Sequence, residues 1–223
     1  MTDISLTGHS FGPAAGGNPT ALVVLLHGLG ADGNDLISLA PELARSLPQA
    51  MFVSPDAPFP CDLAPYGRQW FSLQDRASAP VLEGTAMARP ILDRFLDEAL
   101  AVWNLKDDAL ALLGFSQGAM MALHTGLRRT NPPAAIVAFS GALIGEVPAA
   151  SARGYPPVLL VHGEDDSVVP FSSYRFARTT LTAAGVSVEA VSRPGLGHGI
   201  DPTGLAAAKA MLARCLGVVA GKG

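Results

Sequence analysis

Short, unbroken apolar runs recur along the chain at Ala21–Leu26, Met51–Ser54, Ala109–Leu113, Ala134–Phe139 and Pro157–Val161. Strands buried on both faces read this way, rather than as an alternation of apolar and polar positions. Between them, apolar residues return every three or four positions. Leu36, Leu39, Leu43 and Leu47 predict a helix that Asn34 or Asp35 caps and that runs to about Ser46. Ile91, Phe95 and Val102, with Leu92, Leu96 and Trp103, predict a long helix from Thr85 to about Leu105, with Pro90 opening its regular part. Further helices are expected from Ser116 to about Arg129, from Ser172 or Ser173 to Ala184, and from Asp201-Pro202 to about Leu216. Val186–Val191 alternates and predicts a strand nearer the sheet edge, and Ile4 and Leu6 suggest another short edge strand. Strands alternating with helices predict an α/β chain with a mostly parallel central sheet and helices on both faces. Chemistry in such sheets gathers at the carboxyl ends of the strands.

Two regions interrupt this pattern. Residues 55–83 form the longest irregular stretch, punctuated by Pro55, Pro58, Pro60, Pro65 and Pro80. Loops of this length in a compact domain are usually functional or disordered, and Trp70-Phe71 argues against disorder. The second region is the set of glycine-rich turns after the strands, at His27-Gly-Leu-Gly30, Gly114–Gly118, Ser140-Gly141, His162-Gly163 and Gly197-His198-Gly199. At 223 residues and 49% apolar composition, the chain is expected to fold as one domain, residues 1–223, around a large core. A net charge of −4 gives no reason to expect a nucleic-acid partner. No apolar run approaches the ~18 residues needed to cross a membrane, and the N-terminus lacks a signal-peptide pattern, so a cytoplasmic protein is expected. Cys61 and Cys215 are read as ordinary reduced thiols.

The turn at Gly114-Phe-Ser116-Gln-Gly118 carries the strongest chemical signal. A Gly-x-Ser-x-Gly between a buried strand and a helix reads as a nucleophile elbow, with the serine hydroxyl held above the strand end. A serine hydroxyl is a poor nucleophile near neutral pH and needs a base. Of five histidines, His9 reads as a surface residue and His124 as a helix position. His27 and His162 follow buried strands and suit structural hydrogen bonding, His27 shaping the glycine loop after it. His198, on a late glycine-rich loop, is the candidate base. The acid that orients it must come from Glu164, Asp165 or Asp166, between the serine and the histidine in chain order. Asp166 is preferred because the chain returns to apolar character after it, with Asp165 next. An oxyanion hole is expected from the amides of Gln117 and Leu29.

Other glycine-loop chemistries fit poorly. Gly28-x-Gly30-x-x-Gly33 matches a dinucleotide fingerprint, but the acidic residue expected ~20 residues on has only Asp56 as a candidate, beside prolines. No Gly-Lys-Ser/Thr occurs, and no residue set has zinc-site spacing. Taken together, Leu26-His-Gly-Leu-Gly30, Asp56-Ala-Pro58, Arg68-x-Trp70-Phe71, Gly114–Gly118, His162-Gly-x-x-Asp166-x-x-Val-Pro170 and Gly197-His198 resemble the phospholipase/carboxylesterase family of α/β-hydrolases, which includes acyl-protein thioesterases. Glu164 stands where that family has aspartate, at a position not expected to be catalytic.

The resemblance implies an α/β-hydrolase fold and a triad of Ser116, His198 and Asp166. It also implies oxyanion donors at Leu29 and Gln117, and Trp70 beside the acyl pocket. The expected reaction is two-step hydrolysis of small to medium acyl esters or thioesters, with no metal or organic cofactor. Lysophospholipase and acyl-protein thioesterase activities are alternatives within the family. A non-catalytic ligand-binding relative is a further one, which the complete Ser, His and Asp set disfavours. The segment from Ser140 to Pro157 is too short for a large cap domain. Leu63, Trp70, Phe71 and Leu73, with Phe59, are candidates for the wall of the acyl pocket, or else anchors of the 55–83 loop. A homodimer is expected only by analogy with the family.

Overall fold

The computed structural model describes residues 5–217. Its main sheet has seven strands: β1 (Gly8–Phe11), β2 (Ala21–Leu26), β3 (Ala50–Pro55), β6 (Leu110–Phe115), β7 (Ala135–Phe139), β8 (Val158–Gly163) and β9 (Val188–Arg193). Two further short strands, β4 (Phe59–Pro60) and β5 (Arg68–Gln69), pair with each other within the long irregular stretch. The spatial order of the main sheet is β1-β3-β2-β6-β7-β8-β9, with β1 antiparallel to β3 and every other pairing parallel. Among the described residues there are six α-helices: α1 (Gly33–Ile37), α2 (Ala40–Ala44), α3 (Ser78–Val102), α4 (Gln117–Gly126), α5 (Phe171–Ala183) and α6 (Pro202–Leu216). This is the expected α/β-hydrolase arrangement without a large cap, since β7 and β8 are joined by a short segment with no helix.

The apolar runs of the sequence divide by parity, because successive side chains on a strand point to opposite faces. Leu22, Val24, Leu26, Leu110, Leu112, Ile136, Ala138 and Leu160 pack with α3, α4 and α5 on one face. Ala21, Val23, Leu25, Ala111, Leu113, Val137, Phe139, Leu159 and Val161 pack with α1, α2 and α6 on the other. Both faces are covered, so every residue of β2 and of β7 is buried. β9 is the edge strand opposite β1, as expected of the alternating stretch; it spans Val188–Arg193, two positions later than Val186–Val191, and is mostly half-buried.

Several boundaries depart from the sequence reading. The helix expected through Ser46 is broken into α1 and α2 because Pro41, at the start of α2, has no N–H to donate to Ile37. Asp32 caps α1, its Oδ1 accepting from Asn34 N at 2.8 Å, in place of the expected Asn34 or Asp35. Helix α3 begins at Ser78, seven positions before Thr85, which shortens the irregular stretch. Pro80 lies in its first turn, where the N–H would have no intrahelical partner, and Pro90 sits inside the helix instead of opening it. The buried stripe of α3 is Val81, Thr85, Ala88, Leu92, Leu96 and Leu100, while Val102 is exposed at the frayed end. The first edge strand is Gly8–Phe11; Ile4 falls outside the described residues. Helix α5 starts at Phe171, directly after Pro170.

Two polar groups tie α3 and α4 into this frame. Arg129, after the end of α4, ion-pairs with Asp93 and Asp97 of α3 and with Asp107 at 3.1, 2.7 and 2.5 Å. His124 of α4 is buried, its Nδ1 3.3 Å from Ile144 O. Burial, reinforced by the Arg128 charge, lowers its pKa from 6.5 to about 4. The unfolded chain therefore takes up this proton at a higher pH than the folded one. The stability this group contributes is complete above pH about 6.5 and is lost as pH falls towards 4, by at most about 3 kcal/mol. His124→Gln should flatten that part of the pH dependence, as measured by urea unfolding between pH 7 and pH 4.

Candidate active site

Strand β6 ends at Phe115, and Ser116 takes φ 53° and ψ −118° before α4 begins. A non-glycine residue there is strained, and the surroundings must enforce it. They do so by backbone contact. A Cβ on Gly118 would sit 1.9 Å from Leu26 O, and one on Gly114 would sit 2.3 Å from Gly118 O. The ends of β2 and β6 and the first turn of α4 therefore touch main chain to main chain. Ser116 N donates to Phe139 O at 2.9 Å, which ties the turn to β7 as well. The serine lies at the N-terminus of a ten-residue helix, where unpaired N–H groups favour negative charge.

The loop after β2 lies against this turn. A Cβ on Gly28 would lie 3.4 Å from Ser116 Cβ and 3.3 Å from the Phe115 ring. The loop is held from its other side by the β4–β5 hairpin. Gly30 N donates to Arg68 O at 2.9 Å and Arg68 N to Ala31 O at 2.8 Å, while Gly67 passes so close that a Cβ would fall 2.0 Å from Gly30 O. The Arg68 guanidinium donates to Ala57 O and Pro58 O at 2.8 and 3.0 Å. His27 is fully buried, with Nδ1 2.7 Å from Gly28 O and Nε2 accepting from Ala57 N at 3.0 Å. That pattern requires the proton on Nδ1, and burial lowers the pKa of the ring so that it stays neutral. Neither Leu29 N–H nor Gln117 N–H has an acceptor among the described residues.

The sequence reading used only the backbone amide of Gln117. Its side chain, fully buried, accepts from Trp70 N through Oε1 and donates to Phe71 O through Nε2, both at 2.8 Å. The indole Nε1 of Trp70 donates to His27 O at 3.0 Å. The long stretch before α3 is thus stitched to the elbow and to the glycine loop by three buried hydrogen bonds. No local signal could have announced them, because the partners lie more than forty positions apart. Trp70 and Phe71 have 0% and 2% exposure, so they anchor the loop and present almost no surface. Leu73 is half-buried against the core, and Leu63 is exposed on the hairpin.

His198 and Asp166 meet at the ends of β9 and β8. His198 Nδ1 lies 2.8 Å from Asp166 Oδ2, and Asp166 Oδ1 accepts from Val168 N and Val169 N at 2.9 Å each. Burial pushes the Asp166 carboxyl upward, but the bonds from His198 and from the two amides outweigh it. Its pKa is lowered and the group is ionised. Glu164 and Asp165 have exposed side chains and serve through their amides, which donate to Arg193 O and Leu196 O at 3.0 Å. Gly163 lets the two loops close, since a Cβ there would lie 2.2 Å from Leu196 O. The His198 ring packs on the ring of Phe115, the residue before Ser116, with centroids 4.8 Å apart. The Ser116 hydroxyl makes no hydrogen bond among the described residues; such bonds often tighten only with substrate in place.

Residues 13–216 match the sequence profile described as phospholipase/carboxylesterase. Esterase YpfH of Escherichia coli (strain K12) is 31% identical over 186 residues, covering 81% of this chain and 76% of that protein. Acyl-protein thioesterase 1 of Neurospora crassa is 27% identical over 201 residues, covering 80% of each. Among solved structures, that of esterase PE8 superposes with a TM-score of 0.87 at 40% identity, covering 96% of this chain and all of the other.

Gln117→Leu would leave Trp70 N and Phe71 O unpaired in the interior. Each buried orphan costs about 1–3 kcal/mol, so chemical denaturation should show a loss of about 2–6 kcal/mol. An unchanged midpoint would mean that the carboxamide does not hold the loop.

Proposed function

This chain belongs to the phospholipase/carboxylesterase family of α/β-hydrolases and is a carboxylic ester hydrolase; within that class we propose that it cleaves small to medium acyl esters or thioesters through a Ser116–His198–Asp166 triad. The observation that carries the reading is the 2.8 Å bond between His198 Nδ1 and a buried, ionised Asp166. It puts the imidazole proton on Nδ1 and leaves Nε2 as a base. It also places a negative charge where an imidazolium would form.

The reaction runs in two halves. Nε2 of His198 takes the Ser116 proton as Oγ attacks the acyl carbonyl. The resulting oxyanion receives the unpaired N–H groups of Leu29 and Gln117, aided by the N-terminal end of α4. The tetrahedral intermediate collapses, the His198 proton passes to the leaving alkoxide or thiolate, and an ester remains on Ser116. Water, deprotonated by His198, attacks that ester, and the acid departs with Ser116 restored. Every charge that develops meets a group already in place, so little reorganisation accompanies the chemistry.

For substrate selection, we assign the acyl-side wall to Leu63 and Leu73, backed by the buried Trp70 and Phe71. The short β7–β8 connection leaves room for acyl groups without a cap over them. A thioester preference is the second reading, favoured by the similarity to an acyl-protein thioesterase. Initial rates on matched oxygen esters and thioesters of increasing chain length separate the two.

Ser116→Ala should lower kcat on an activated short-chain ester by at least ~10⁴-fold with little change in thermal midpoint. Turnover retained in that variant would refute the serine mechanism. Because a general base works only when unprotonated, kcat/KM should decline towards acid pH, and a rate that stays flat there would exclude His198 as the base.

A further inference from the structure

Asp166 is held by more than His198. Its Oδ2 lies 2.8 Å from His198 Nδ1 and 3.3 Å from Nε2 of a second histidine, His162, at the end of β8. His162 is 2% exposed, and its Nε2 is also 2.9 Å from Val169 O. A carbonyl and a carboxylate are both acceptors, so Nε2 must carry the hydrogen. Val169 closes the circuit, since its own N–H donates to Asp166 Oδ1. His162, Val169 and Asp166 therefore form a ring of contacts: His162 Nε2–H to Val169 O, Val169 N–H to Oδ1, and Oδ2 back to Nε2. With Oδ1 alone fixed, the carboxylate could still swing Oδ2 away from His198.

We propose that His162 is a positioning residue of the triad, which fixes the plane of the Asp166 carboxylate and so the line along which it accepts from His198. The inference rests on the triad reading above. The position also demands a neutral ring. A charged His162 would compete for Asp166 and repel the imidazolium of His198. The surroundings keep it neutral, because burial is the largest influence and lowers its pKa. The groups facing it are Asp166 and His198 from the two loops, and Phe171 and Tyr174 from α5, with ring centroids at 6.1 and 5.9 Å. Tyr174 has its own pKa raised by burial, with Arg178 and Glu164 beyond it. From α4, β7 and β8 the neighbours are apolar, including Leu123, Ala138 and Leu160.

A purely structural histidine would affect folding alone. The test compares His162→Phe, which keeps a ring but removes the donor, with His162→Gln, whose amide reaches the same depth and restores it. Active sites are counted by fluorophosphonate titration, and kcat, KM and the pH profile of kcat/KM are measured on an activated short-chain ester. His162→Phe should lose roughly 10- to 100-fold in kcat per titrated site, with KM little changed. Its acid limb should move to higher pH, because Val169, no longer held through its carbonyl, presents its N–H to Asp166 less squarely and the carboxylate holds the His198 proton more firmly. His162→Gln should recover most of the rate and the original limb. If His162→Phe does not fold, His162→Asn carries the same expectation, its amide being too short to reach Val169 O. An unmoved limb with full kcat per site in the donor-less variant overturns the inference alone. Turnover retained by Ser116→Ala overturns the triad and the inference together.

Discussion

The site depends on one close approach, that of the first turn of α4 to the end of β2. Gly118 meets Leu26 O and Gly114 meets Gly118 O at distances that leave no room for a Cβ. Only with the three backbones in contact does the chain turn within one residue from strand to helix. That turn forces Ser116 into a positive-φ conformation and sets it at the mouth of the sheet. Tight packing of β6 between β2 and β7 makes the strain tolerable, since the elbow cannot relax without parting parallel strands whose residues are wholly buried.

Once the elbow is fixed, the other strand ends are brought to it by buried polar contacts. Gln117 clamps Trp70 and Phe71, Trp70 clamps His27 O, and the β4–β5 hairpin pairs with residues 30 and 31. On the other flank, Gly163 admits the loop that carries His198, and the amides of Val168 and Val169 hold Asp166. Residues Trp70 and Gln117 serve as struts, and Asp166 is oriented by at least three donors. A loosened strut displaces the strand ends it holds, and under the proposed mechanism small displacements matter because the hydroxyl, the imidazole and the amide donors must all be aligned on one carbonyl group.

Histidine is used here in three ways that differ only in environment. His198 sits half-buried on a loop against Phe115, with one nitrogen committed to Asp166. His27 and His162 are buried, driven neutral by desolvation, and spend their ring nitrogens on backbone and carboxylate contacts. His124 lies further from the chemistry and registers as an acid-sensitive group in the packing of α4. The same side chain thus serves as proposed base, scaffold or liability according to which polar groups the sheet places around it.

What the sequence by itself determined was the layered architecture and the order of the chemistry along it. The unbroken runs of Ala21–Leu26 and Ala134–Phe139 require strands covered on both faces, and the glycines around Ser116 require a close strand–helix approach. Both are local consequences of side-chain volume and periodicity. Helix limits were less legible: the break at Pro41 and the early start of α3 at Ser78 depend on which N–H groups find acceptors. Of Glu164, Asp165 and Asp166, the residue pattern preferred the last without excluding the others, and only the tertiary structure shows that Asp166 is buried against His198 while the other two side chains are exposed. It also decided that Trp70 and Phe71 face inward and that the Gln117 carboxamide reaches them. These are contacts between residues far apart in sequence, and their free energy depends on desolvation and geometry that no short window of residues contains.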